Sequence, residues 1–472
     1  MNFPGFSSGD RRRAWTLAVL AALPLLLAAC GGGGSDAPST GTTPSTLSAA
    51  AQLGQKIFSD EALSASGQQS CSSCHVAASA FAEDASASGV DHGSPVPLGG
   101  LAMNLTGFRN TPSLMYASLI PAFSVGSDGG PIGGFFRDGR AKTLADQAVL
   151  PFTTAFEMAN ADASAVVTLL KTRPYLADFK ALYGSAALDD PTTALARMGE
   201  ALAAFETEDP GFTPFSSKYD YFLKGQATLT AQEQNGLALF NSATKGNCGA
   251  CHPSTSADGV KPPMFTDYSY DNLGVPRNSL IPANGPSAPG YTPVNSADGV
   301  QTYYDLGVCG PFREQTLDFF SNCGQFKVPT LRNIAVTGPY FHNGRFTTLV
   351  DAIGFYVRRD TNPEEWYPAN PDGTVTKFDD LPAVYGGQFV VTPGVVGSDA
   401  GYLGNVNTTE IPYNRHIGDT PALSTSEIND VITFLCTLTD GYDPANPSAQ
   451  VLPAQCQAAA STAAASRNSK SR

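Results

Sequence analysis

The sequence predicts an all-α fold in two small domains, and three observations predict it. A Cys-x-x-Cys-His pentapeptide occurs once in each half of the chain, as Cys71-Ser-Ser-Cys74-His75 and Cys248-Gly-Ala-Cys251-His252. Each is preceded by a segment with apolar residues at helical spacing, so that helix, motif, helix is laid out twice. The rest is rich in Gly and Pro, 47 and 35 residues of 472, and has almost no alternating strand pattern, which leaves long loops rather than sheets.

The pentapeptide is the attachment signature of c-type haem: two cysteines form thioethers to one edge of a porphyrin and the adjacent histidine takes an axial position on the iron. A redox dithiol would stand near a βαβ pattern, and a zinc site would want further Cys or His pairs at matching intervals. Neither setting is present, and both pairs end in His. The expected cofactors are two covalently bound c-type haems, on Cys71 and Cys74 with His75, and on Cys248 and Cys251 with His252. The expected architecture is two cytochrome c-like haem domains with long irregular loops, residues 49–215 and 225–445, joined across 210–224. Length alone suggests about three domains; two haem sites argue for two.

In chain order, the N-terminus reads as an export signal. Arg11, Arg12 and Arg13 form a basic region, residues 14–27 an apolar one, and Leu27-Ala28-Ala29-Cys30 has a small-residue cleavage pattern with cysteine first in the mature chain. This resembles a lipoprotein signal with the lipid on Cys30, so residues 1–29 are expected to be removed and the protein to be periplasmic on a membrane tether. Residues 30–48 read as a flexible spacer. After Cys30 no apolar run is long enough to span a bilayer. A helix is expected at about 49–58, with Leu53 and Ile57 aligned. Thr143 with Asp146, Thr230 with Glu233, Thr348 with Asp351 and Ser424 with Glu427 mark further helix starts. In the last of these Ile428, Val431, Ile432 and Leu435 repeat at helical spacing. Residues 253–325 and 362–420 read as loops, and 458–472 as a disordered Ala/Ser tail.

Of nine cysteines, one is assigned to lipid and four to haem, leaving Cys309, Cys323, Cys436 and Cys456. An even remainder in an oxidising compartment suggests two disulfides. Three pairings are possible; Cys309 with Cys323 and Cys436 with Cys456 close the short loops. The formal charge is −14, and loss of residues 1–29, with three arginines and one aspartate, leaves about −16. An acidic body argues against nucleic acid as a partner and suits electrostatic steering of a basic electron carrier.

Around the two pentapeptides stand Arg109-Asn-Thr-Pro-Ser113, Asp138-Gly-Arg-Ala141 with Leu144, Gln147, Ala148 and Pro151, then Glu157-Met158, Val328-Pro-Thr-Leu-Arg-Asn333 and Thr337-Gly-Pro-Tyr-Phe-His342-Asn-Gly344. In this order they resemble the bacterial di-haem cytochrome c peroxidase family, which also contains the MauG-type enzymes, over residues 53–442. The resemblance implies that the first haem is the peroxidatic site and the second the electron-transfer site. It places Gln147 and Glu157 on the family's distal Gln and Glu, and Pro151 on a pocket proline. A carboxylate there takes a proton from bound hydrogen peroxide and returns it to the leaving oxygen, while Gln147 donates a hydrogen bond. It also implies a calcium ion held between the domains by oxygens of Asn110, Thr337 and Pro339.

Three positions depart from the commonest family pattern. Where activation-dependent peroxidases carry an axial methionine, fourteen residues after His342, this chain has Tyr356, the ligand type of MauG-like members; Met264 is the competing ligand. Phenolate stabilises ferric and higher states, thioether favours ferrous iron. Arg137, beside Phe135 and Phe136, replaces a tryptophan that relays electrons between the haems. His92 is a loop histidine that resembles the displaceable ligand blocking the peroxidatic iron, in a segment longer than the family's. His342 is expected beside the second haem rather than on its iron. The implied activity is reduction of hydrogen peroxide to water with electrons from a small redox protein such as cytochrome c or a cupredoxin. The rivals are a MauG-type oxidation of Trp or Tyr in a partner protein, and a non-catalytic electron carrier. Dimers are common in that family, and no residue here requires one.

Overall fold

Leu53 and Ile57 bury one face of helix α1 (Ala49–Phe58), and the Ser48 hydroxyl caps it by accepting from the Ala51 N–H. The computed structural model describes residues 47–83, 96–281, 304–310, 322–381 and 406–459, with the backbone alone of short strands at 294–295, 301–302, 384–385 and 389–390. Cys30, the spacer up to residue 46, His92 and the tail from residue 460 lie outside the described residues.

After α1 come the single turn α2 (Cys71–Cys74), α3 (Leu144–Val149), α4 (Ala163–Leu170), α5 (Leu176–Tyr183), α6 (Pro191–Glu208), α7 (Lys218–Leu223), α8 (Ala231–Asn241), α9 (Leu349–Arg358) and α10 (Thr425–Cys436). The capping pairs Thr143/Asp146, Thr230/Glu233 and Ser424/Glu427 are reciprocal, each acidic side chain accepting from the cap's own N–H. At α9 the Thr348 side chain accepts from the Asp351 N–H and donates to its carboxylate.

Among the described residues the two largest hydrophobic cores are built on one plan. In the first, α1 packs on α6, and in the second α8 packs on α10. Both crossings depend on a glycine: a Cβ at Gly54 would lie 1.9 Å from the Ala201 carbonyl oxygen, and one at Gly236 2.0 Å from that of Asp430. Phe58 then meets Phe205 edge-on at 5.5 Å, as Phe240 meets Phe434 at 5.3 Å. Each fully buried Leu, Ile or Phe contributes about 1.5–3 kcal/mol, so these paired stripes carry much of the packing energy. Cys71 borders the first core and Cys248 the second.

Two features depart from the sequence reading. The expected joint at 210–224 contains helix α7, opened by a Ser217/Asp220 capping box, with Tyr219 and Asp220 buried. The long loops are pinned by antiparallel strand pairs of two residues each, such as Tyr270–Asp271 with Phe326–Lys327 in the register Tyr270 to Lys327. These pairs are too short to show alternation, and the fold remains mostly helical. Among the described residues no helix is long and apolar enough to cross a membrane.

The disulfides are Cys309–Cys323 and Cys436–Cys456, closing separations of 14 and 20 residues. Cys436 and Cys456 both lie in the second core. Replacing both by Ser is expected to cost about 3 kcal/mol, the value for a loop of this length. Denaturant unfolding of the haem-loaded protein checks this, and an unchanged midpoint would refute it.

Candidate functional site

Beneath each pentapeptide the backbone is arranged to hold an imidazole. Cys71–Cys74 forms a helical turn and Cys248–Ala250 a tighter 3-10 turn, which bring both thiols of each pair to one side with the histidine following. His75 Nδ1 lies 2.9 Å from the Phe81 carbonyl oxygen, and His252 Nδ1 lies 2.8 Å from that of Phe265. Nδ1 donates in each, which leaves the Nε2 lone pair for a metal. Both phenylalanines have φ of +52°, a left-handed conformation that costs a non-glycine residue on the order of 1 kcal/mol. The same strained residue type under both imidazoles points to a shared purpose, aiming the carbonyl. Sequence reasoning missed this pair. A phenylalanine followed by a small residue and an acid, Phe81-Ala-Glu83 and Phe265-Thr-Asp267, recurs after each motif and was the available signal.

The residues fit c-type haem. Among the described cysteines, the four in the motifs are the ones left unpaired. Burial pushes each of these thiols up to about 12. Burial also pushes His75 down to about 4, against the opposing hydrogen bond to Phe81, and lowers His252 for the same reason, so both imidazoles stay neutral. Among the described residues no group of three His, Cys, Asp or Glu side chains is placed as a metal site.

A cavity of about 50 Å³ is lined together by Cys71, Cys74, His75, Gln147, Pro151 and Glu157. Capped helix α3 carries Gln147, and Pro151 follows in the turn Leu150–Phe152. Glu157 is fixed by its neighbours: its carbonyl accepts from the Gly100 N–H, and the Met158 N–H donates to the Pro151 carbonyl. Burial pushes the Glu157 carboxyl up, against the opposing Arg140 charge and a Thr154 hydrogen bond. The same wall holds Glu206, which sequence reasoning did not single out. It sits on the apolar face of α6, one turn after Leu202, and burial pushes it up to about 8. An acid on an apolar helical stripe was its signal.

A larger cavity of about 330 Å³ is lined by Cys248, Cys251, His252, Tyr356, Tyr413, Met264 and, from the first half, Phe136 and Arg137; Leu114 and Gln147 belong to both cavities. Tyr356 projects from α9 beside Phe341 and Tyr413, with ring centroids at 5.5 and 6.0 Å. Burial pushes its phenol up, and its side chain lines the same cavity as the second pair of thiols. Met264 lines the same cavity and packs against Ala80, Met115 and Tyr116. His342 stacks on Phe326 at 3.7 Å, nearly parallel, and borders this cavity with Thr337 and Pro339. Asn110 reaches the same region, its N–H donating to the His342 carbonyl and its side-chain amide to that of Pro339. His416 is exposed and lines neither cavity.

A family model described as di-haem cytochrome c peroxidase matches residues 48–228. Methylamine utilization protein MauG of Paracoccus denitrificans is 38% identical over 342 residues, 72% of this chain and 80% of that protein. Cytochrome c551 peroxidase of Nitrosomonas europaea is 29% identical over 319 residues, 66% of this chain and 74% of its own. The crystal structure of the diheme peroxidase BthA from Burkholderia thailandensis aligns with a TM-score of 0.71 at 34% identity, covering 86% of this chain and 88% of that one. With both attachment motifs intact and set in repeated cores, the chain belongs to the di-haem cytochrome c peroxidase family, which includes MauG proteins.

Proposed function

We propose that this chain reduces hydrogen peroxide to water with electrons from a small redox protein such as a cytochrome c or a cupredoxin. One observation carries this reading: Gln147, Pro151 and Glu157 converge on the cavity of Cys71, Cys74 and His75. A pure electron carrier has no use for a buried acid there. When bound, haem supplies redox-active iron, at Cys71 and Cys74 for peroxide and at Cys248 and Cys251 for incoming electrons. The overall change is H2O2 with two electrons and two protons giving two molecules of water. Glu157 takes the proton from one peroxide oxygen and returns it to the other as that oxygen leaves as water. Gln147 donates a hydrogen bond that orients the peroxide, and Pro151 closes the wall beside it. His75, held through Nδ1 by Phe81, keeps its Nε2 lone pair available and would hold the iron when haem is bound.

Peroxide-dependent oxidation of a reduced c-type cytochrome, two equivalents per peroxide, tests the proposal; a haem-loaded protein that consumes none overturns it.

Tyr356 in the second cavity favours a second reading, a MauG-type oxidase that acts on Trp or Tyr of a partner protein. Stopped-flow mixing of the fully ferric protein with one equivalent of peroxide separates the two. Tyr356 ligation is expected to give fast oxidation without prior reduction. Reaction only after one electron has been added would point to a displaceable ligand and an activation-dependent peroxidase.

A further inference from the structure

The family resemblance expects oxygens of Asn110, Thr337 and Pro339 to converge on calcium, and the structure uses these groups differently. Asn110 Oδ1 accepts from Arg137 Nη2, and the Asn110 carbonyl accepts from Arg137 Nε at 3.4 Å. A guanidinium only donates, so it fixes which way the amide faces: Oδ1 toward Arg137, and Nδ2 toward the Pro339 carbonyl, to which it donates. A cation ligand must present oxygen. Here the amide presents an N–H to one expected ligand, while its own oxygen is on a guanidinium.

The surrounding charge points the same way. Arg109 pairs with Asp138 at 2.9 Å and with Asp305 at 2.5 Å, and Arg140 pairs with Asp138 at 3.0 Å. Lys327 lies half-buried nearby, donating to the Gly134 carbonyl. Burial pushes Arg137 down to about 10, aided by Arg109 and opposed by Glu83 and Asp305, so it remains charged at neutral pH. Arg109, Arg137 and Arg140 thus face Asp138, Asp305 and Glu83, while burial pushes the Lys327 ammonium beside them down to about 7; three guanidiniums already match three carboxylates, and a divalent cation would create an excess of positive charge.

We infer that the Arg137 guanidinium is the cation that ties the two halves together in this chain, in place of a bound calcium ion. It anchors Asn110, which reaches across to the second half twice, through its N–H to the His342 carbonyl at 3.0 Å and through its amide to Pro339. The arginine at the position where the family carries its relay tryptophan therefore has a positioning role. The expected calcium ion is corrected accordingly: the residues present do not fit it.

The test uses the full-length, haem-loaded protein after treatment with a chelator. Elemental analysis is expected to find no stoichiometric calcium. Calorimetric titration is expected to show no saturable binding up to roughly millimolar calcium, the weak end of protein calcium sites. The absorption and electron paramagnetic resonance spectra of both haems are expected not to change on chelation. One calcium per chain, or spectra that shift on chelation and recover with calcium, would overturn the inference. Arg137→Ala is expected to alter the haem resonances and to take up one calcium that restores them. An R137A protein that binds none and keeps the parent spectra would count against the role. Should that variant not accumulate, Arg137→Gln is measured in the same way, and the wild-type calcium result stands by itself.

Discussion

Glu157→Gln is expected to lower peroxide turnover by about 10²- to 10⁴-fold, the usual contribution of a positioned proton-transfer group, while both haems stay attached. Glutamine keeps the size and one acceptor of the side chain but cannot carry the proton between the peroxide oxygens. The flanking backbone ties, Gly100 to Glu157 and Met158 to Pro151, involve main-chain atoms and survive the change. The effect should therefore fall on kcat and kcat/KM, with haem content and unfolding midpoint near the parent values. Turnover within twofold of the parent would remove Glu157 from the chemistry. The neighbouring carboxyl of Glu206 would then be the next group to replace, since it lines the same cavity.

The largest expected effect on stability comes from Asp220→Ala, at about 3–5 kcal/mol. Arg332 grips Asp220 with two hydrogen bonds of 2.9 and 3.0 Å, and the two side chains are 1% and 0% exposed. Arg332 also donates to the Pro263 carbonyl and lies over the rings of Tyr116 and Phe215. Deleting the carboxylate strands a buried cation among aromatic rings from the first half and the joint. Removing one partner costs more than the pair itself contributes, because the remaining charge stays desolvated. Burial pushes the Asp220 carboxyl up, but the Arg332 hydrogen bonds and charge, with Ser217, outweigh it and hold it below the usual range. A carboxyl lowered in the folded state stabilises at pH above its unfolded value of about 4, and this stability is lost as pH falls through the folded value. The variant should therefore show a shallower acid-unfolding profile than the parent. Equal stabilities at pH 7 would refute the assignment.

Much of the helical layout was legible because short-range rules govern it. Helix α1 and the reciprocal caps of α3, α8 and α10 stand where side-chain spacing puts them, since a cap and an apolar stripe are set within one or two turns of chain. Helix α7 was not legible: six residues with a Ser and an Asp look like linker, and Arg332, 112 residues away, makes that turn a buried anchor. The site divides in the same way. The pentapeptides announce haem by themselves because attachment chemistry needs adjacent residues. Glu206 and the left-handed Phe81 and Phe265 act through contacts that a linear pattern does not contain.

By itself, then, the sequence determined the two attachment sites, the helical character of the chain, the short-loop disulfides as the favoured pairing, and the resemblance that singled out Gln147, Glu157 and Tyr356. Those signals are local, or ordered along the chain. Only the tertiary structure decided that Gln147, Pro151 and Glu157 share a wall with Cys71 and His75, that Tyr356 on α9 lines one cavity with the second thiols, and that Arg137 takes up the oxygen of Asn110. Each of these depends on where distant segments meet and on which of several donors reaches a buried acceptor first, and in a low-dielectric interior a buried polar group left without a partner is too costly to leave that choice open.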